Sequence, residues 1–118
     1  MKIAELRTSE GRVVCERCIV ADSPFARMRG LLGRKELPSG EGILLKPSGS
    51  VHTFFMRFPI DVVFLDRDLR VVAIAPDVPP WRVRGARGAK AVVELTAGEA
   101  SRRGLAEGQT LVLSEPPK

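Results

Sequence analysis

The chain has little of several residue types on which protein chemistry often depends. Its 118 residues include two cysteines, one histidine, one tryptophan and no tyrosine. A tetrahedral zinc site needs four ligands, so two cysteines and one histidine cannot complete one within a single copy of the chain. A chain of this length can bury about two-thirds of its unfolded surface, which is enough to fold without disulfides or a structural metal ion. We therefore expect no metal and no cofactor.

Long hydrophobic runs are also lacking. No apolar run approaches the roughly 18 residues that a membrane helix requires. The N-terminal sequence MKIAELRTSEGR turns polar at once and has no signal-peptide core. We expect a single soluble, cytoplasmic domain over residues 1–118, with its core at about 12–114, loose termini and no membrane partner.

Charge of one sign is in excess. The net charge is +5 and the isoelectric point is near 9.9. Arginine supplies 14 of the 19 basic residues. This balance permits an anionic small molecule, an acidic protein partner or nucleic acid, and requires none of them.

Short apolar and β-branched runs predict six to eight strands with closely spaced turns. Two short helices are predicted, one from Ser23 and Pro24 to Gly33 and one in TAGEASRRG, which Gly104 closes. The pattern indicates a mainly β, single compact sandwich or barrel, and the lack of βαβ alternation argues against a doubly wound nucleotide-binding fold. The predicted strands are 11–21, 43–46, two segments of 51–66 divided by Pro59, 70–75, 89–95 and 109–114.

The densest segment is VHTFFMRFPIDVVFLD, residues 51–66, which holds four of the six aromatic residues. Strand alternation predicts that His52 and Phe54 lie on the core face, with Arg57 and Asp61 on the opposite face. In a functional reading, Arg57 binds an anion and Asp61 orients it or acts as a base. In a structural reading, Asp61 caps backbone N–H groups near the proline corner. His52 is a pocket-lining residue, a metal ligand or a base.

Two further residues extend this candidate site. Glu94 lies in VVEL and could serve with Asp61 as a second carboxylate, or could pair with an arginine. Trp81 lies in PDVPPWRVRGARGA, a loop whose aromatic and cationic composition is typical of a phosphate or single-strand contact. The loop could instead form a stiff lid over one end of the barrel. No phosphate-binding GxxxxGK[ST] and no GxSxG motif is present.

The cysteine pair Cys15 and Cys18 has the CxxC spacing of redox and zinc sites. In a regular strand, positions three apart face opposite ways and their Cα atoms lie ~10 Å apart, too far for a disulfide. A zinc ion that bridges two copies of the chain stays open as an alternative. In a reducing cytoplasm we expect two free thiols.

Three segments occur in a characteristic order: ARMRGLLGRKEL with GILL, then VHTFFMRFPIDVVFLD, then VVELTAGEASRRGLAEGQTL. In this ordered set, over roughly residues 12–113, the chain resembles the prokaryotic domain of unknown function family 192. The resemblance implies a compact, mainly β domain of jelly-roll-like or barrel type. It implies no specific activity.

The function expected from these features is the binding of a small or extended anionic ligand at one end of the barrel. Three alternatives stay open: a hydrolase-like enzyme that uses Asp61 or Glu94 as a base, a nucleic-acid-binding accessory protein, and an interaction module of a larger assembly. Whether the chain is an enzyme is undecided at this point. The candidate ligand-binding residues are His52, Arg57, Asp61, Trp81 and Glu94.

Overall fold

The computed structural model describes residues 2–23, 31 and 34–115, and in these the chain is mainly β, as predicted. Most of the predicted helix between Ser23 and Gly33 lies outside the described residues. The second predicted helix is confirmed as α1. The elements are β1 (Lys2–Thr8), β2 (Val13–Ala21), β3 (Glu41–Leu45), β4 (Ser50–His52), β5 (Ile60–Leu65), β6 (Val71–Val78), β7 (Val83–Gly85), β8 (Ala91–Thr96), α1 (Glu99–Arg102) and β9 (Leu111–Ser114).

Seven strands form one curled sheet, in the order β6-β5-β8-β3-β2-β1-β9, which closes into a half-barrel. Its neighbours pair antiparallel except β2 and β3, which are parallel. The two outermost strands approach each other at one end only, through a bridge between Arg70 and Thr110. Strands β4 and β7 form a separate two-stranded sheet.

Strand β5, second from one edge of the seven-stranded sheet, is buried at every position, because apolar clusters cover both faces of the sheet. Val63 and Leu95 belong to the cluster inside the half-barrel. Val62 and Phe64 belong to the outer cluster, which Met56 also joins. Burial on both faces explains why this strand reads as a continuous apolar run in the sequence.

Two strands were not predicted. Residues Lys2–Thr8, expected to be loose, form β1 between β2 and β9. The segment KIAELRT has a weak intrinsic preference for β structure. Pairing with a strand on each side stabilises the extended conformation that the local sequence does not favour. The short β7, Val83–Gly85, forms in a segment expected to be irregular because β4 pairs with it.

The division of residues 51–66 at Pro59 is confirmed, but the predicted alternation is wrong near its start. The strand ends at His52, and a turn follows in which the Met56 N–H donates to the Thr53 carbonyl at 3.2 Å. This turn resets the alternation. His52 is consequently exposed and Phe54 half-buried, whereas both were expected on the core face.

Candidate functional site

The fully buried residue Thr53 joins the loop before β5 to the loop before β7. Its hydroxyl donates to the Pro79 carbonyl at 2.7 Å and accepts from the Arg82 N–H at 2.9 Å. Its N–H donates to the Arg82 carbonyl at 2.8 Å, and its carbonyl accepts from the Trp81 N–H at 3.1 Å. One threonine therefore fixes the two loops against each other.

This junction brings four rings together. Phe54 stacks on Trp81 with centroids 5.8 Å apart, and Phe55 meets Trp81 edge-on at 4.7 Å. His52 contacts Phe54 at 5.1 Å. Val83 lies opposite His52 in the pairing of β4 with β7. We call these five residues the aromatic surface; it unites two of the predicted site residues, His52 and Trp81.

Phe55 and Trp81 both have left-handed backbone conformations, with φ of 67° and 66°. This region costs a residue with a side chain roughly 1–2 kcal/mol relative to glycine. Both side chains are nevertheless mostly exposed, at 71% for Phe55 and 55% for Trp81. Strain of this kind, held in place by a buried hydrogen-bonded residue, is characteristic of binding sites.

Cationic side chains flank the aromatic surface. Arg57 lies two residues beyond Phe55, Arg82 directly follows Trp81, and both are exposed. No carboxylate in residues 2–23, 31 and 34–115 forms an ion pair with either guanidinium. Among the described residues, the Arg82 guanidinium donates only to the neighbouring Trp81 carbonyl, at 3.3 Å. Both charges are therefore available to an anionic group.

Asp61 has a different environment. Its side chain is 1% exposed, and its Oδ1 accepts a hydrogen bond from the Asp77 N–H at 2.9 Å. Its Oδ2 accepts from the N–H groups of Gly98 and Ala100, at 3.1 and 2.9 Å. The carboxylate thus accepts from backbone N–H groups at the start of α1 and near the end of β6. The sequence hypothesis expected Asp61 to cap N–H groups near the proline corner, so the type of role agrees and the capped groups differ.

Glu94 lies on the other face of the sheet from Asp61. The register pairs Glu94 with Val62 and with Ile43, whereas Asp61 pairs with Leu95. Directly paired residues share a face, so the sheet separates the two carboxylates. The sequence could not place them relative to each other, and the structure does not bring them into one site.

The Glu94 side chain is almost completely buried, and burial raises its pKa to about 7. No hydrogen bond from the described part of the chain reaches its carboxylate.

The two cysteines are free thiols, as predicted, but the prediction that they face opposite ways is wrong. Cys15 pairs with Leu6 and Cys18 with Ala4, so three steps along β2 match two along β1. This β-bulge turns both thiols to the inner cluster, where both are free and fully buried. The interaction between the two thiols lowers the pKa of Cys15 and raises the pKa of Cys18. Burial raises the pKa of Cys18 further. Within the described residues, no group of three or more histidines, cysteines or acids could hold a metal ion.

An ionic cluster around α1 was not predicted. Glu99 is 2% exposed and accepts hydrogen bonds from Ser39, Arg102 and Arg103. Burial opposes its ionisation, but these bonds outweigh burial and lower the pKa of Glu99. Arg103 also bonds Glu16 at 2.7 Å, which ties α1 to β2. The cluster explains how a four-residue helix is held on the barrel.

A cleft of about 600 Å³ lies at the end of the barrel where β3 and β5 end and β8 begins. Three basic and three acidic residues line it, so its charge does not select anions. None of the predicted site residues lies there. Its lining residues are Asp22, Lys46, Pro47, Asp66, Arg67, Asp68, Leu69, Lys90 and Ala91.

The profile of the family DUF192, described as "Uncharacterized ACR", matches residues 5–113. The chain belongs to the DUF192 family. This confirms the resemblance seen in the ordered motifs, and the family carries no established function. No helix in the described part of this DUF192 chain is long and apolar enough to cross a membrane.

Curated relatives and solved structures agree with this assignment. A UPF0127 protein of Thermococcus sibiricus is 33% identical over 98 residues, which are 79% of this chain and 63% of the relative. A UPF0127 protein of Pyrococcus horikoshii is 38% identical over 69 residues, 54% of this chain and 57% of the relative. This DUF192 chain thus matches less than two-thirds of the length of either relative.

Two crystal structures share the fold over most of both chains. A protein of unknown function from Novosphingobium aromaticivorans has a TM-score of 0.79 and 26% identity, covering 93% of this chain and 83% of the other. A candidate transcription regulator from Sinorhizobium meliloti has a TM-score of 0.81 and 24% identity, covering 94% and 92%. At this identity, the second likeness concerns the fold alone.

Proposed function

We propose that this DUF192 domain is a binding module that recognises an anionic partner through the aromatic surface. The observation that carries the proposal is the pair Phe55 and Trp81, whose side chains are exposed although their backbones are strained. A monomeric protein rarely exposes several large apolar side chains together unless they serve an interaction. The fixed, strained geometry favours a surface formed before its partner arrives.

The flanking arginines give the partner its charge. Arg57 and Arg82 have no carboxylate partner in the described part of the chain, and the chain carries a net charge of +5. A guanidinium bound to a phosphate or carboxylate forms a hydrogen bond roughly twice as strong as a neutral one. The proposal uses three of the five candidate residues: His52, Arg57 and Trp81. Asp61 supports the segment that carries Trp81 through its bond to Asp77, and Glu94 lies on the other face of the sheet from Asp61.

Binding is better supported than catalysis. A hydrolase-like mechanism with Asp61 and Glu94 as a pair needs the two carboxylates within reach of one substrate. The register sets them on opposite faces, and three backbone N–H groups already bind Asp61. We also infer a cytoplasmic location, because two free thiols side by side suit a reducing compartment.

Trp81 is the chain's one tryptophan, so intrinsic tryptophan fluorescence reports on this surface alone. We would titrate the protein with polyphosphate, a single-stranded oligonucleotide, a polyglutamate peptide and anionic lipid vesicles. The proposal predicts that at least one probe changes the Trp81 emission at low salt and that high salt weakens the effect. Arg82→Gln should reduce the change in Trp81 emission at a given salt concentration. Arg67→Gln, in the turn before β6, should leave that change as it is in the unaltered protein. If no probe changes the emission, the proposal is wrong.

A further inference from the structure

Exposed apolar side chains are concentrated at one corner of the molecule. Among the described residues, three of the five large hydrophobic side chains that are exposed belong to the aromatic surface: Phe55 at 71%, Val83 at 59% and Trp81 at 55%. We call these three the apolar tip. The other two, Ile3 and Val112, lie on β1 and β9 and are less exposed.

The rings of this surface pack on one another. Phe54 stacks on Trp81 at an interplanar angle of 28°, and Phe55 meets Trp81 at 62°. A nucleobase binds by stacking on a free ring face. Here Trp81 already packs against Phe54 and Phe55, which leaves less ring face for a base, and the aliphatic Val83 extends the tip. The tip is therefore better suited to enter an apolar phase than to stack bases.

Two exposed arginines adjoin this tip in the chain. Arg57 and Arg82 follow Phe55 and Trp81 in the chain, and their guanidiniums meet no described carboxylate. A partner that complements this arrangement presents anionic groups outside and apolar matter beneath them. An anionic lipid surface does so, since its phosphates lie above the acyl chains. Tryptophan in particular favours that boundary, because its ring is apolar and its N–H is polar.

We propose that the apolar tip docks reversibly on an anionic lipid surface, with Arg57 and Arg82 at the level of the lipid phosphates. The proposal rests on the proposed function and names its partner. It differs from the expectation from composition that a membrane plays no part. Docking of this kind needs no spanning segment, because three side chains enter only the boundary region.

The test uses the whole chain with vesicles of phosphatidylcholine alone and of an equal mixture with phosphatidylglycerol. We expect sedimentation with the mixed vesicles only, a blue shift of the Trp81 emission, and quenching by lipids brominated on their acyl chains. Phe55→Ser should abolish the blue shift and the binding. Arg57→Gln should weaken binding about fivefold, as expected for one arginine near an anionic surface.

Two substitutions elsewhere serve as matched controls. Val112→Ser removes an exposed apolar side chain from β9, and Arg67→Gln removes an exposed arginine from the turn before β6. Both variants should bind mixed vesicles as the unaltered protein does. Equal losses in Phe55→Ser and Val112→Ser would contradict a specific role for the tip.

Failure of this inference can be told from failure of the proposed function. If no vesicle changes the Trp81 emission but polyglutamate or the oligonucleotide does, the anionic partner is not lipid and the binding module stands. If vesicles bind without a blue shift, the tip does not enter the lipid and the inference is wrong. If no anionic probe affects Trp81, both proposals are wrong.

Discussion

The Asp61 carboxylate accepts a hydrogen bond of 2.9 Å from the backbone N–H of Ala100, 39 residues further along the chain. The same oxygen accepts from Gly98, and the second oxygen accepts from Asp77. Strand β5, which lies between β6 and β8 in the sheet, thereby holds the start of α1 and the end of β6. The conspicuous acid of the densest motif thus has a structural role.

Replacing Asp61 by Asn should lower the free energy of unfolding by about 3 kcal/mol, because one charged acceptor of three N–H groups is lost from a buried position. Urea denaturation measures the change. Asp68→Asn, at an exposed turn position, is the matched control and should change the stability little. Normal stability together with lost binding of anionic probes would instead make Asp61 a ligand-binding residue.

Glu94 should make stability depend on pH. Its pKa is about 7 in the folded protein against 4.5 as the ordinary value, so the folded state binds the proton more tightly. The resulting stability is fully present below pH 4.5 and is lost as the pH rises to about 7. The free energy of unfolding should fall by about 3 kcal/mol across this window from Glu94 alone.

The variant Glu94→Gln isolates this effect, because it keeps the shape of the side chain and cannot ionise. The difference in stability between the variant and the unaltered protein should grow in favour of the variant between pH 4.5 and 7. Chemical denaturation at several pH values measures it. A difference that is constant with pH would mean that Glu94 is not the group concerned.

The left-handed backbone of Phe55 predicts an unusual order of stability for two small substitutions. Phe55→Gly should be more stable than Phe55→Ala by about 1–2 kcal/mol, because glycine adopts this conformation without a steric penalty. At Phe58, where φ is not positive, the order should be reversed. Thermal denaturation of the four variants measures both differences in stability. The same order of the Gly and Ala variants at both sites would contradict the left-handed conformation assigned to Phe55.

Thr53 should be needed for the geometry of the aromatic surface. Thr53→Val keeps the shape and removes the hydroxyl that binds Pro79 and Arg82, which should lower stability by about 2 kcal/mol. The anisotropy of Trp81 fluorescence should fall as its loop loosens. Thr53→Ser retains the hydroxyl and should retain most of both properties. Equal anisotropy in all three proteins would contradict the role of Thr53.

The sequence was sufficient to predict the parts of the fold that local patterns encode. β5 and β8 appear as apolar runs, and the segment TAGEASRRG carries the turn and helix signals of α1. The ordered motifs identified the family. Strand β1 escaped prediction because its propensity is weak and one of its two partners, β9, lies far along the chain.

The candidate site was predicted only in part. Trp81 and His52 were chosen from composition, and the structure joins them through Phe54. Thr53 and Phe55 were missed, because neither a buried hydroxyl nor a left-handed phenylalanine has a local sequence signal. The β-bulge that brings Cys15 and Cys18 to one face was missed for the same reason: it is visible only in the register with β1.

Hydrogen bonds hold the segment that carries Trp81 at both ends. The Asp61 carboxylate bonds Asp77, and Thr53 bonds Pro79 and Arg82. A loop anchored in this way does not swing on a hinge. Its conformational entropy is already lost when the protein folds, so little remains to be lost at the encounter with a partner. Such a surface has its binding shape before a partner arrives. Partners that match this shape bind quickly, and partners that do not match it cannot induce another shape.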